Sequence, residues 1–115
     1  MGLATGDDEV RLANPLKTIE PAELAATVEQ EGPFDAIVVG LPRSLDGRET
    51  PQTLAVRRYV EDVLGNFKAE IIYQDEAGTS SVAEERLMAS GHKYDKADID
   101  AEAASIILQD YLGQL

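Results

Sequence analysis

The sequence predicts an α/β protein in which helices flank a mixed β-sheet. Two short runs rich in β-forming residues, 35–41 and 69–76, alternate with stretches that have helical spacing. Because the first run is apolar without interruption, we expect it to be covered on both faces, as strands of parallel sheets are. A hairpin pattern at the N-terminus adds an antiparallel edge. The order of elements therefore favours parallel βαβ units with right-handed crossovers behind an antiparallel hairpin.

The first part of the chain is predicted to hold the hairpin and one helix. Residues 2–5 and 9–13 are the two expected strands, with Gly6-Asp7-Asp8 as the turn between them. Pro15 is expected to end the second strand, because proline lacks the amide that a central strand needs. A helix is expected over residues 21–30, since proline suits a first helical position.

Three further helices are predicted in the remainder of the chain. One spans residues 51–66, with Thr50 as its N-cap and a proline in its first turn. The stretch Ser81–Glu84 has the capping-box pattern, so the next helix is expected to start near Ser81 and to end at Gly91. The last helix is expected over residues 99–112.

Composition and charge limit the classes of function. With 115 residues, 43% of them hydrophobic, we expect a single domain over residues 1–115. No apolar run is long enough for a membrane span and the N-terminus lacks a secretory pattern, so we expect a cytoplasmic protein. The absence of cysteine excludes disulfides and thiolate chemistry. The net charge of −12 opposes non-specific nucleic-acid binding, which depends on lysine and arginine.

Asp100 is the first candidate for chemistry. On a helix over residues 99–112 it shares one face with Ala104, Ile107, Leu108 and Tyr111. The acid would then begin a stripe that faces the sheet instead of solvent. The alternative is an ordinary first-turn acid, which the helix dipole stabilises.

Asp75 and Glu76 are the second candidates. They end a predicted strand, and ligands of open α/β sheets gather at the carboxyl ends of strands. Consecutive strand residues point to opposite faces, so one of the two acids can face a given site. A solvated strand end is the open alternative. Acids from two elements together would suit a hard cation such as Mg²⁺, which prefers oxygen ligands.

Three segments of the chain have the form of family motifs: "VVGLPRSLDGRETPQT" (38–53), "QDEAGTSSVAEERL" (74–87) and "DIDAEAASIILQDYL" (98–112). Together they resemble the YqgF/RuvX family of RNase H-like nucleases, and residues 2–19 are similar to two family strands. The motifs occur in the family's order and cover nearly the whole chain. The resemblance implies an RNase H-like fold and a cytoplasmic bacterial nuclease that processes the 5′ end of pre-16S rRNA. The family has also been described as a Holliday junction resolvase, so branched DNA is an alternative substrate to structured RNA.

The resemblance also implies roles for individual residues. Glu76 matches the acid at the end of the family's fourth strand, and Asp100 matches the acid that opens the last helix. Both are expected to hold Mg²⁺ or Mn²⁺ for phosphodiester hydrolysis, with Asp75 in support. Arg43 and Arg48 lie in the loop after a core strand and are expected to contact substrate phosphates.

Two departures from the family pattern bear on activity. Family members begin with a central strand that carries Gly-x-Asp-x-Gly, whose aspartate is a metal ligand, whereas residues 1–4 here already match the second strand. We therefore expect an N-terminally truncated domain that is weak or inactive, with strand exchange in a homodimer as one way to fill the gap. Ala77 also stands where the family commonly has arginine. A non-catalytic binding or scaffold domain is the open alternative.

Overall fold

The chain is an α/β protein. In residues 1–41, 48–75 and 79–115, which the computed structural model describes, four strands and four helices are present. In chain order they are β1 (Gly2–Asp7), β2 (Leu12–Thr18), α1 (Leu24–Glu31), β3 (Ala36–Leu41), α2 (Pro51–Leu64), β4 (Glu70–Asp75), α3 (Thr79–Ser90) and α4 (Lys96–Gly113). They fall into two compact units, residues 1–19 with 78–115 and residues 20–77.

The described strands form two two-stranded sheets. In the first unit β1 and β2 are antiparallel, and in the second β3 and β4 are parallel. The predicted α/β class and both predicted kinds of strand pairing are therefore confirmed, but within the described residues the two pairs are separate sheets, because no strand of one pairs with a strand of the other. No helix within the described ranges is long and apolar enough to cross a membrane.

The hairpin of the first unit turns two residues later than its sequence pattern suggests. The Asp7 carboxylate accepts hydrogen bonds from the amides of Glu9 (2.7 Å) and Val10 (3.3 Å), which folds the chain back on itself. Arg11 closes the turn in the left-handed region at φ 56°, and its amide donates to the Asp7 carbonyl oxygen at 2.8 Å. The turn therefore occupies residues 8–11, so β1 extends to Asp7 and β2 begins only at Leu12.

The prediction that Pro15 ends the second strand is wrong. β2 continues to Thr18, and Pro15 lies opposite Ala4 in the ladder. The register shifts between Leu3 and Ala4, so the chain bulges beside the proline. A bulge tolerates proline because the ladder is already interrupted there and the missing amide costs little.

Helix α4 forms the centre of the first unit. It packs against the hairpin on one side and against α3 on the other, where Ala83, Ala103 and Ile106 form a buried cluster. Side-chain hydrogen bonds also connect α4 to the hairpin. Gln109 accepts from the amide of Ala13 at 3.0 Å and donates to the carbonyl oxygen of Arg11 at 2.7 Å.

Both helices of the first unit begin earlier than predicted. α3 starts at Thr79, so Ser81 lies inside the helix and the predicted capping box at Ser81–Glu84 is wrong. Gly91 ends α3 in the left-handed region at φ 75°, as expected. α4 starts at Lys96, and Asp95 and Asp98 form its capping box by reciprocal hydrogen bonds to each other's amides.

The second unit contains the parallel strand pair. A 3-10 turn at Pro21–Glu23 leads into α1, and the register of β3 and β4 runs from Ala36 opposite Glu70 to Leu41 opposite Asp75. Leu41 is fully buried, whereas the rest of β3 is half-buried, so the expected cover on both faces is partial.

Helix α2 has the predicted N-cap. Thr50 accepts a hydrogen bond from the amide of Thr53, and the Thr53 hydroxyl accepts one from the amide of Thr50. The helix buries Thr53, Val60 and Leu64. The cap fixes the point at which the chain enters α2, and thereby which of its residues lie over the strands.

Candidate functional site

Asp100 lies in the second turn of α4. Because α4 begins at Lys96, Asp100 is its fifth residue, and the first-turn acid is Asp98. The alternative interpretation of Asp100 as a first-turn acid is therefore wrong. Its side chain is 28% exposed, and one carboxylate oxygen, Oδ1, lies 3.3 Å from the Lys96 ammonium nitrogen Nζ.

The predicted single buried stripe on the last helix is only partly correct. Ile107 is buried, whereas Asp100 and the other three members, Ala104, Leu108 and Tyr111, are half-buried. α4 is covered by the hairpin on one side and by α3 on the other, so residues outside the stripe are also buried. These further buried residues are Ala101, Ala103, Ser105, Ile106 and Leu112.

The hairpin holds the Asp100 segment of α4 by close backbone packing. A Cβ atom on Gly2 would lie 2.0 Å from the Asp100 carbonyl oxygen and 2.7 Å from the Ala101 amide nitrogen. Glycine is therefore required where β1 crosses the helix. The Thr18 hydroxyl also donates to the carbonyl oxygen of Ala97 at 2.6 Å, so both strands fix this part of α4.

Lys96 is a partner of Asp100 that sequence reasoning missed. The two residues have opposite charge at i,i+4 spacing, which was the available signal. The Lys96 side chain is 85% exposed, and exposed pairs of this kind contribute about 0–1 kcal/mol. A cation that approaches Asp100 can therefore displace the lysine at little cost.

Asp75 ends β4 and is exposed. It lies opposite Leu41, so it stands at the carboxyl edge of the parallel pair, where ligands of α/β sheets bind. Side chains two residues apart on a strand share a face, so Asp75 and Tyr73 point to the same side of the sheet. The structure thus places this predicted acid where the strand pattern required.

An arginine from α2 covers that same face. The guanidinium carbon Cζ of Arg57 lies 4.7 Å from the centre of the Tyr73 ring. Its Nη2 and Nε atoms lie 2.6 Å and 2.7 Å from Oε1 of Glu49. No pattern in the sequence links Arg57 to Tyr73 or to Glu49.

The remaining predicted site residues lie in or next to the two segments that are not described. Arg43 and Glu76 fall in residues 42–47 and 76–78, outside the described residues, as does Ala77. Arg48 is described and is exposed, shortly before α2. The roles assigned to Glu76 and to both arginines stay predictions.

The donor chemistry of the two described acids suits a divalent cation. Carboxylate oxygens are the ligands that Mg²⁺ and Mn²⁺ take, and Asp75 and Asp100 both retain access to solvent. Asp100 belongs to the first unit and Asp75 to the second. Within residues 1–41, 48–75 and 79–115, no group of three or more acidic, histidine or cysteine side chains could hold a metal ion.

A shallow cleft of about 310 Å³ lies in the second unit, away from Asp75. It is at the amino ends of β3 and β4, whereas Asp75 is at their carboxyl ends. Its lining is mainly apolar, with one acid and one lysine; the residues are Val28, Glu29, Gly32, Pro33, Phe34, Ile37, Phe67, Lys68 and Ala69. No candidate acid contributes to it.

The fold and the acid at a strand's carboxyl edge define an α/β protein consistent with the RNase H-like class. The RuvX family, described as Holliday junction resolvase, matches residues 1–114. A protein of Chloroflexus aggregans named "Putative pre-16S rRNA nuclease" is 39% identical, over 97% of this chain and 84% of its own length. A protein of the same name from Colwellia psychrerythraea is 33% identical, over 99% of this chain and 82% of its own length. Another from Bordetella pertussis is 36% identical, over 100% of this chain and 86% of its own length. The chain belongs to the RuvX family, which confirms the resemblance.

Proposed function

We propose that this chain is a nuclease that hydrolyses phosphodiester bonds, with the 5′ end of pre-16S rRNA as its substrate. Its family is described as Holliday junction resolvase, and relatives in three organisms carry the pre-16S rRNA nuclease name. The observation that carries the proposal is the place of Asp75, an exposed acid at the carboxyl edge of a parallel strand pair in a chain of this family.

Asp75, Glu76 and Asp100 are the proposed catalytic acids, with Glu76 and Asp100 as the metal ligands. Their assignment rests on the match of the family motifs and on the oxygen donors that they supply. A bound Mg²⁺ or Mn²⁺ ion would activate water and stabilise charge on the phosphate.

Arg43 and Arg48 are the proposed phosphate contacts. Both follow β3 and precede α2 in the chain, and Arg48 is exposed. A cation is needed there because the net charge of −12 repels a polyanionic substrate. Their guanidinium groups can bind phosphate oxygens in a bidentate manner.

Cleavage of two labelled substrates tests the proposal. A precursor-rRNA fragment and a four-way DNA junction are each incubated with the purified chain and Mg²⁺ or Mn²⁺. We expect weak cleavage of the RNA near its mature 5′ end, lost in Glu76→Gln and in Asp100→Asn. Asp110→Asn is the matched control, because Asp110 is an exposed acid on the same helix, and it should cleave normally.

Other outcomes identify the alternative functions. Cleavage of the junction but not of the RNA would favour a resolvase, which the family's description supports. Binding without cleavage under every metal condition would favour a non-catalytic nucleic-acid-binding domain and would contradict the proposed activity. Cleavage that persists in both acid variants would overturn the assignment of the acids.

A further inference from the structure

We propose that Arg57 is a substrate-binding residue that contacts an RNA phosphate beside Asp75, with Tyr73 and Glu49 as its positioning residues. The proposal rests on the proposed nuclease function and adds a specific cation to it. All four residues belong to the second unit, so the placement is defined within one compact body.

The guanidinium of Arg57 lies on the face of β4 that carries Asp75. Tyr73 and Asp75 share one face of β4, and Arg57 lies over the Tyr73 ring on that face. Two residues along a strand advance the chain by about 6.6 Å. Arg57 therefore lies over the side chain that precedes the carboxyl-edge acid by two residues on the same face of β4.

Glu49 and Tyr73 fix the orientation of the Arg57 guanidinium. Glu49 binds its Nε and Nη2 atoms through one carboxylate oxygen, and the Tyr73 ring covers one of its faces. The Nη1 group makes no hydrogen bond or ion pair within the described residues, and the side chain is 32% exposed. The arginine is thus held in place while the N–H donors of Nη1 are left to bind an anion.

The segment around Arg57 is locally positive. The whole chain has a net charge of −12, but residues 48–58 contain three arginines and one glutamate, which gives a local charge of +2. A polyanion that approaches an acidic protein is drawn to such a patch. An arginine that is already ordered loses less side-chain entropy on binding phosphate than a free one does.

Equilibrium binding to a labelled precursor-rRNA hairpin tests the proposal, in EDTA so that no cleavage occurs. The affinity is measured across a range of salt concentrations. Loss of one phosphate contact reduces the magnitude of the slope of log K against log salt by about 0.7 to 0.9. Relative to 1 M salt, this corresponds to an affinity about five- to eightfold lower at 0.1 M salt. We expect this loss in Arg57→Gln.

Arg86→Gln is the matched control, because it removes the same charge from an arginine of the first unit that is ion-paired with Glu102. It should bind nearly as the wild type does. Equal losses in Arg57→Gln and Arg86→Gln would show an effect of net charge alone and would overturn the proposal. If the wild-type chain binds neither RNA nor DNA, the proposed function itself fails, and this inference fails with it.

Substitutions at Tyr73 test the positioning role without a change of charge. Tyr73→Phe keeps the ring under the guanidinium and should bind as the wild type does. Tyr73→Leu removes the ring and should weaken binding severalfold with a smaller salt slope, because the arginine is no longer held. Circular dichroism checks that the variants are folded. A folded Tyr73→Leu protein with unchanged affinity would contradict the positioning role.

Discussion

Gly2→Ala should destabilise the first unit by forcing β1 away from α4. The added Cβ atom would lie 2.0 Å from the Asp100 carbonyl oxygen and 2.2 Å from its carbonyl carbon, and real Cβ atoms essentially never come closer than 3.0 Å. One of the two backbones must therefore shift by about 1 Å. β1 has little freedom to move, because Met1 and Ile19 exchange hydrogen bonds of 3.0 Å and 2.8 Å. Overpacking of this kind costs about 1–3 kcal/mol.

Urea unfolding measures this cost, as a lower midpoint with an unchanged m-value. Amide NMR shifts should also change around Asp100, since the strand that contacts its helical turn is displaced. Gly113→Ala is the matched control: a Cβ there meets nothing within 4 Å, and a helical glycine replaced by alanine gains up to about 1 kcal/mol. A Gly2→Ala protein as stable as the wild type, with unchanged shifts at Asp100, would refute the close packing of β1 on α4.

Two further perturbations probe the two units separately. Thr50→Ala should cost about 1 kcal/mol, because it removes the oxygen that caps α2; Thr50→Ser should restore the loss, and equal stability of all three proteins by urea unfolding would refute the cap. The pKa of Tyr94 is raised by burial of its ring and then by the Glu84 carboxylate, which repels the phenolate and accepts its hydrogen bond. Glu84→Gln should therefore lower this pKa, measured by NMR titration of the ring, and no change would contradict the pairing. Because the fold favours the neutral phenol, its stabilising contribution is present at neutral pH and is lost as the pH rises through the raised pKa.

Elements with complete local signals were predictable from the sequence. The N-cap at Thr50, the two apolar runs around Leu41 and Tyr73, and the glycine stop at Gly91 each depend on neighbouring residues. α4 was placed too late because its apolar periodicity begins at Ile99, whereas the polar capping box that starts the helix precedes it. The bulge that accommodates proline in β2 depends on pairing with β1, which no local pattern encodes.

At the candidate site, too, features with local sequence signals were predictable and tertiary contacts were not. Their places in the predicted elements singled out Asp100 and the pair Asp75 and Glu76, because acids at the ends of predicted elements are visible in the sequence, and the motif resemblance then assigned Glu76 and Asp100 as metal ligands. The contacts that surround them are tertiary: Gly2 packs on the backbone of Asp100, and Arg57 crosses from α2 to the Tyr73 ring. Such contacts depend on how elements pack, so sequence patterns did not reveal them.

The proposed acids are tested most directly by a Mn²⁺ titration followed by NMR amide signals. Bound Mn²⁺ broadens nearby signals, so broadening should be confined to residues around Glu76 and Asp100. It should disappear in Asp100→Asn and persist in the control Asp110→Asn, and it should begin at lower Mn²⁺ in Lys96→Gln, which removes the competing ammonium. Broadening spread evenly over all acidic residues, or unchanged in Asp100→Asn, would contradict a metal site at these acids.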